Sequence, residues 1–92
     1  MDKKELPEKK VDSVIELYSN GKVSEALDAI ELLFKEHPNE SLLFNIRGAC
    51  YAALGQLEEA VKNYEDALAI KPDYSDASYN LGNVLKDLGH LE

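Results

Sequence analysis

The sequence contains one cysteine, no tryptophan, five glycines and three prolines among its 92 residues. Because Cys50 is the single thiol, an internal disulfide is excluded and no second thiol is present to help hold a metal ion. Prolines and glycines are sparse and hydrophobic residues make up 45% of the sequence, which predicts a soluble, globular chain. We therefore expect a packed domain without a metal site or other cofactor.

Long hydrophobic runs are also missing. No stretch approaches the roughly 18 apolar residues that a membrane-spanning helix needs, so we expect no membrane partner. The charged residues at the start of the chain, Asp2 to Glu5, are followed by no apolar segment of the kind that a secretory signal contains. These two absences predict a cytoplasmic protein.

Basic residues are fewer than acidic residues. Lysine and arginine together number 10 and aspartate and glutamate 18, which gives a net charge of −8. The excess is spread evenly, since residues 1–40 and residues 41–92 each carry −4. An acidic surface of this kind repels phosphate backbones, so we do not expect nucleic acid as a ligand.

Groups that support catalysis are few and scattered. His37 precedes a proline, His90 stands near the C-terminus, and Cys50 falls on the apolar side of a predicted helix. No base is visibly paired with a nucleophile, and neither a glycine-rich phosphate loop nor a metal-ligand spacing is present. The sequence predicts no catalytic residues and no enzyme activity.

An internal repeat is the main positive feature of the sequence. Gly21, Gly55 and Gly89 follow one another at intervals of 34 residues, and Pro38 and Pro72 have the same separation. A fixed period of this size indicates an architecture built from copies of one supersecondary unit. The period is therefore more informative about the fold than the composition is.

Within each unit, apolar residues recur at steps of three and four. Leu43, Ile46 and Cys50 form one such stripe in the central unit. This spacing places the side chains on one face of a helix, and glycine or proline ends each stripe. We predict an all-α fold without strands, with a disordered N-terminus at residues 1–6 and five helices at residues 8–20, 23–36, 41–54, 57–70 and 74–88.

The central unit also carries a recognisable set of residues, namely Phe44, Gly48, Tyr51, Leu54, Gly55, Ala60, Tyr64, Ala67 and Pro72. With the period of about 34, they resemble the signature of the tetratricopeptide repeat (TPR) family. Residues 75–92 resemble the first helix of the same motif, and residues 7–40 resemble a degenerate copy with Val14 at the place of Gly48. The resemblance implies antiparallel helix hairpins stacked as a right-handed superhelix of about two and a half repeats. Similar repeats occur in O-GlcNAc-transferase-like and bacterial TPR proteins.

In this family the first helix of each hairpin lines a concave groove that holds a peptide. Carried over by motif position, the groove residues of this chain are Val11, Ile15, Tyr18, Leu42, Asn45, Ala49, Ala52, Tyr79, Asn80, Asn83 and Lys86. The asparagines are the strongest candidates, because an amide can both donate to and accept from a peptide backbone. The family members that bind chaperone tails need lysine and asparagine on the first groove helix, where this chain has Val11 and Ile15, and lysine and arginine on the third, where it has Asp76 and Asn80, so we do not expect that ligand.

Two further expectations concern helix packing. Gly48 and Gly82 are expected to allow a neighbouring helix to approach closely. Ala26 and Ala60 are expected to keep the two helices of a hairpin near each other, and a larger side chain at Ala60 should overpack that contact. Arg47 stands where the family usually has an apolar residue. We expect its side chain to lie along the helix surface or to pair with an acidic neighbour such as Glu40 or Asp66.

The sequence leaves three functions open. The first is a protein-interaction scaffold that binds a peptide or protein segment in the groove, as part of a longer array. The second is a self-assembling homodimer, with or without exchange of helices between the chains, in which the unfinished third hairpin presents an apolar edge made of Leu81, Val84, Leu85 and Leu88. The third, by analogy alone, is the appended repeat region of a glycosyltransferase or sulfotransferase. The identity of the partner is not encoded in a pattern that we can read.

Overall fold

The computed structural model describes residues 5–91, with side chains described up to residue 90. This part of the chain contains five α-helices and no strand, which confirms the predicted all-α fold. The helices are α1 (Glu8–Ser19), α2 (Val23–Glu36), α3 (Ser41–Ala53), α4 (Leu57–Ile70) and α5 (Ser75–Leu91). The molecule is elongated, with extents of about 49 × 29 × 18 Å.

Glycine makes the turn inside each complete hairpin. Gly21 between α1 and α2 has a φ of 81°, and Gly55 between α3 and α4 has a φ of 77°. A positive φ is costly for residues with a Cβ atom, so glycine lets the chain reverse within three residues. The longer connections from α2 to α3 and from α4 to α5 contain Pro38 and Pro72, which cannot continue the preceding helix.

Gly89, the third glycine of the 34-residue series, does not make a turn. Helix α5 was predicted to end at residue 88, but it continues through Gly89 to Leu91. Glycine in a helix costs only about 1 kcal/mol relative to alanine, so a helix can pass through it where no turn is made. The 34-residue period therefore predicts where a turn can form, but it does not require the turn.

The helices pack in the order in which they occur, α1 on α2, α2 on α3, α3 on α4 and α5, and α4 on α5. A first core cluster joins α1, α2 and α3 and contains Val14, Ile30, Leu43 and Ile46. Because each hairpin buries its side face only against the next one, the fold is a helical solenoid, as predicted.

The first cluster also reaches the segment before α1. Leu6 is half-buried and packs against it. The predicted disordered N-terminus therefore does not extend to Leu6, because this side chain finds apolar neighbours at the start of the stack. The remainder of that prediction, at residues 1–4, lies outside the described residues.

The second core cluster lies between α4 and α5 and contains Ala60, Tyr64 and Val84. The Tyr64 ring also lies over Gly48, since a Cβ atom built on this glycine would be only 2.7 Å from Tyr64 Cε1. The predicted close approach at Gly48 is thus confirmed. At Gly82 the same prediction is wrong, because no atom lies within 4 Å of a Cβ built there and no helix of the described chain covers that side of α5.

None of the helices in the described part of the chain has the length and apolar character needed to cross a membrane.

Candidate functional site

The predicted groove follows the first helices of the hairpins, α1, α3 and α5. Three of its apolar side chains are open to solvent, with exposed fractions of 41% for Ile15, 36% for Tyr18 and 72% for Tyr79. Asn83 and Lys86 on α5 are also exposed. The two end helices of this face therefore offer a mixture of apolar and polar contacts.

Helix α3 provides the middle of the same face. Leu42, Asn45, Ala49 and Ala52 are half-buried there. The helix contains a single charged residue, Arg47, and its partners lie on α2 and α4. The side chains in the middle of the groove are therefore short and uncharged, and some of them are apolar.

Val11 is an exception among the predicted groove residues. Its side chain is only 5% exposed and belongs to the first core cluster together with Leu43 and Ile46. The motif position predicted contact with a ligand, but the core cluster formed by α1, α2 and α3 encloses the side chain. Val11 thus supports the groove from beneath and does not form part of its surface.

Asn45 and Asn80 are joined across the groove. The Asn80 amide Nδ2 donates a hydrogen bond to Asn45 Oδ1 at 3.1 Å, which links α5 to α3. Asn45 Nδ2 in turn lies 3.5 Å from the hydroxyl oxygen of Tyr74. Burial raises the pKa of Tyr74, and the hydrogen bond from Asn45 partly opposes that shift. The two amides are thereby held in one orientation, and each keeps one N–H for another acceptor.

Arg47 occupies the side of α3 opposite the groove. Its Nε donates to Asn63 Oδ1 and its Nη1 pairs with Glu31 Oε2, both at 2.8 Å. The guanidinium carbon lies 4.0 Å from the centre of the Phe34 ring and 5.5 Å from that of Phe44. Ring stacking and hydrogen bonds to two different residues suit the planar cation and tie α2, α3 and α4 together.

The predicted acidic partners of Arg47, Glu40 and Asp66, are wrong. The partner is Glu31, because α2 crosses this side of α3 and brings its own carboxylate to the guanidinium. Glu31 precedes Arg47 by 16 residues and lies in a different hairpin, so helical spacing within one unit has no means of indicating the pair. A sequence signal for the pair of Arg47 with Glu31 was the three-residue spacing of Glu31 and Phe34, because this spacing places both side chains on one face of α2.

Cys50 and Tyr64 are buried titratable groups, and burial raises the pKa of each. Burial raises the pKa of the Cys50 thiol, so the sulfur stays protonated and is a poor nucleophile. Burial, together with the nearby Tyr18 and Cys50, raises the pKa of Tyr64 to about 12. Among the residues that the structure describes, no group of three or more histidine, cysteine, aspartate or glutamate side chains is placed to hold a metal ion.

The predicted self-association edge is mostly covered within the chain. Val84 is only 4% exposed and packs against α4, so it is not part of an exposed edge as predicted. Leu81 and Leu88 are half-buried against the same cluster. Leu85, with 50% of its surface exposed, is the remaining large apolar side chain on this side of α5.

Known proteins with a similar sequence fit this architecture. A family model described as "TPR repeat" matches residues 48–89. The peroxisomal targeting signal receptor of Kluyveromyces lactis is 33% identical over 72 residues, which make up 78% of this chain and 13% of that protein. Tetratricopeptide repeat protein 16 of Mus musculus is 30% identical over 81 residues, or 88% of this chain and 11% of that protein. The chain belongs to the tetratricopeptide repeat family.

A solved TPR domain has the same arrangement of helices. The second TPR domain of Spaghetti (RPAP3), solved with the HSP90 peptide SRMEEVD, aligns with a TM-score of 0.82 at 24% sequence identity. The alignment covers 90% of this chain and 77% of the solved one. The two share the TPR fold, whereas this chain spans only 13% and 11% of the two longer relatives.

Proposed function

We propose that this TPR chain is a protein-interaction module that binds an extended segment of a partner protein along α1, α3 and α5. The receptor from Kluyveromyces lactis is named for a targeting signal, and the solved TPR neighbour holds a peptide. These relatives support the general role of an interaction scaffold. The groove as the binding surface, and a place within a longer array, are part of our proposal.

The observation that carries the proposal is the amide pair formed by Asn45 and Asn80. The hydrogen bond between them fixes both side chains before any ligand arrives, so less conformational entropy is lost on binding. Exposed aromatic rings at Tyr18 and Tyr79 stand on the helices to either side, where they offer apolar contact area. An amide flanked by rings suits a peptide backbone with apolar side chains.

Replacing Asn45 and Tyr79 together by alanine should weaken peptide binding about tenfold or more, which corresponds to about 1.4 kcal/mol. The double change removes the central amide and the most exposed ring of the groove. Peptides selected from a displayed library against the unmodified protein provide the ligand, and fluorescence anisotropy measures their affinity.

A matched control for this experiment is Ile70→Ala, which removes an apolar side chain of 42% exposure at the end of α4. Its affinity for the selected peptides should be unchanged. If the Asn45/Tyr79 variant, folded as judged by circular dichroism, binds every selected peptide as tightly as the unmodified protein does, the groove is not the binding surface.

A second candidate function is self-assembly through the uncovered side of α5. It is favoured by the open space at Gly82 next to the half-exposed Leu85, since this position in the preceding hairpin is filled by the Tyr64 ring. A second copy of α5 would place a leucine over each glycine in a two-fold arrangement.

If α5 mediates a homodimer, Leu85→Lys should convert it to a monomer, because a buried ammonium group in an apolar contact is strongly unfavourable. Light scattering on a size-exclusion column over a wide range of concentrations measures the molar mass. The control Ile70→Lys introduces the same charge outside this side of α5 and should leave the mass unchanged. A monomeric mass for the unmodified protein at all concentrations would contradict self-assembly.

A further inference from the structure

A cleft of about 410 Å³ lies between α1 and α2, away from the groove. Apolar side chains of Val14, Ala29, Leu32 and Leu33 line it. Leu32 is the most exposed of them, with 64% of its surface open to solvent. An apolar side chain that is so exposed beside a cleft is a candidate contact for another molecule.

In the second hairpin, formed by α3 and α4, the place equivalent to this cleft is covered by another helix. Shifted by 34 residues, Ser13 corresponds to Arg47 and Ala29 corresponds to Asn63. At that place, α2 covers the hairpin and contributes the Phe34 ring, which lies 4.0 Å from the Arg47 guanidinium. The chain therefore contains its own example of a helix docked on this face of a hairpin.

The docked face of α2 has a defined chemistry. Phe34 packs edge-on against Phe44, with 4.8 Å between the ring centres, and Glu31 pairs with Arg47. The carboxylate precedes the ring by three residues, which places both on one side of the helix. At the second hairpin, an aromatic ring and a carboxylate one turn apart thus hold the helix, the carboxylate through Arg47, whose place in the first hairpin is taken by Ser13.

The cleft on the first hairpin suits a carboxylate as well. Lys10 and Lys35 line it, together with Glu36, in a protein whose net charge is −8. A local excess of positive charge on an otherwise acidic surface attracts acidic partners and helps to orient them.

A docked helix does not cover the first hairpin as widely as α2 covers α3. In the later hairpin the positions that pack against the preceding unit are Leu43, Ile46 and Cys50, all of them buried. The equivalent positions of α1 carry charged, exposed side chains at Lys9, Asp12 and Glu16. In the described part of the chain, the apolar surface available on this side is therefore the cleft between α1 and α2.

From these observations we propose that the cleft between α1 and α2 is a second docking site, which binds a single amphipathic helix of another protein. The docking face of that helix carries an aromatic residue and, three positions earlier, a carboxylate. This site is independent of the groove along α1, α3 and α5, and it uses a different surface of the same module.

A peptide with the sequence of α2, VSEALDAIELLFKE with blocked ends, is a suitable probe, because the chain itself shows this helix docked on a hairpin. Titration of the isotope-labelled protein, followed by amide NMR shifts, should give saturable changes at Ser13, Ala29 and Leu32. Replacing the phenylalanine of the peptide by alanine should lower the affinity about tenfold.

Two variants of the protein test the location. Leu32→Lys places a charge in the cleft and should lower the affinity for the peptide at least tenfold, whereas Leu54→Lys, at a leucine of 41% exposure outside the cleft, should not. Leu32 is largely exposed, so the variant should remain folded. Absence of saturable shifts, shifts outside the cleft, or equal effects of the two lysine variants would each overturn the proposal.

Discussion

Replacing Gly48 by valine is expected to lower the free energy of unfolding by about 2–3 kcal/mol, the cost of overpacking a well-filled contact. The first added carbon would lie 2.7 Å from Tyr64 Cε1 and 2.8 Å from Tyr64 Cδ1, well inside van der Waals contact. Tyr64 cannot easily move away, since its side chain is only 2% exposed and packs beside Ala60 and Val84. Urea denaturation followed by circular dichroism measures the loss.

Gly82→Val is the matched control for this substitution. Gly82 holds the same position in the third unit, also within a helix, but no atom lies within 4 Å of a Cβ built there. Glycine and valine differ in helix propensity by only a few tenths of a kcal/mol, so the backbone contribution is nearly equal at the two positions. The control should stay within about 0.5 kcal/mol of the unmodified protein. Equal losses at both positions would mean that the tyrosine contact does not limit the size of residue 48.

Leu43→Ala is expected to cost about 2–5 kcal/mol, the range seen when a buried leucine is truncated. Leu43 is fully buried in the cluster that joins α1, α2 and α3, and its neighbours there include Val14 and Ile30. Truncation would leave a cavity between the two hairpins, and a small protein has little stability to spare. The chain would then be close to unfolding at room temperature.

The same substitution at Leu54, which is 41% exposed at the end of α3, provides the comparison. Leu54→Ala should cost less than about 1 kcal/mol, because little apolar surface is removed from the interior. Thermal and urea unfolding of both variants under identical conditions measures the difference. A Leu43 variant as stable as the Leu54 variant would show that the first cluster does not couple the hairpins.

The number, order and approximate ends of the helices were predictable because they depend on local spacing and on the 34-residue period. The turns at Gly21 and Gly55 and the close approach at Gly48 follow from the same pattern. The continuation of α5 through Gly89 was not predictable, since a glycine permits a turn without enforcing one.

Less of the candidate site than of the fold could be predicted from the sequence. Motif position placed Asn45 and Asn80 on adjacent helices, but it did not indicate that their amides are hydrogen-bonded to each other. It also placed Val11 in the groove, where the structure shows it buried. In both cases the deciding factor is the distance between helices, which the period of the sequence does not specify. The pair of Arg47 with Glu31 was missed for the same reason.

The sequential packing of the helices links groove affinity to local stability. In the part of the chain that the structure describes, α5 packs against α3 and α4, so we expect it to detach in a sub-global opening while α1, α2 and α3 stay packed. Tyr79 and Asn80 leave with it, and such an opened molecule retains the amide of Asn45 but has lost its hydrogen-bond partner. A ligand that bridges α3 and α5 binds only the closed form, so its free energy of binding adds directly to the free energy of opening. Occupancy of the groove and protection of α5 against opening therefore report the same equilibrium.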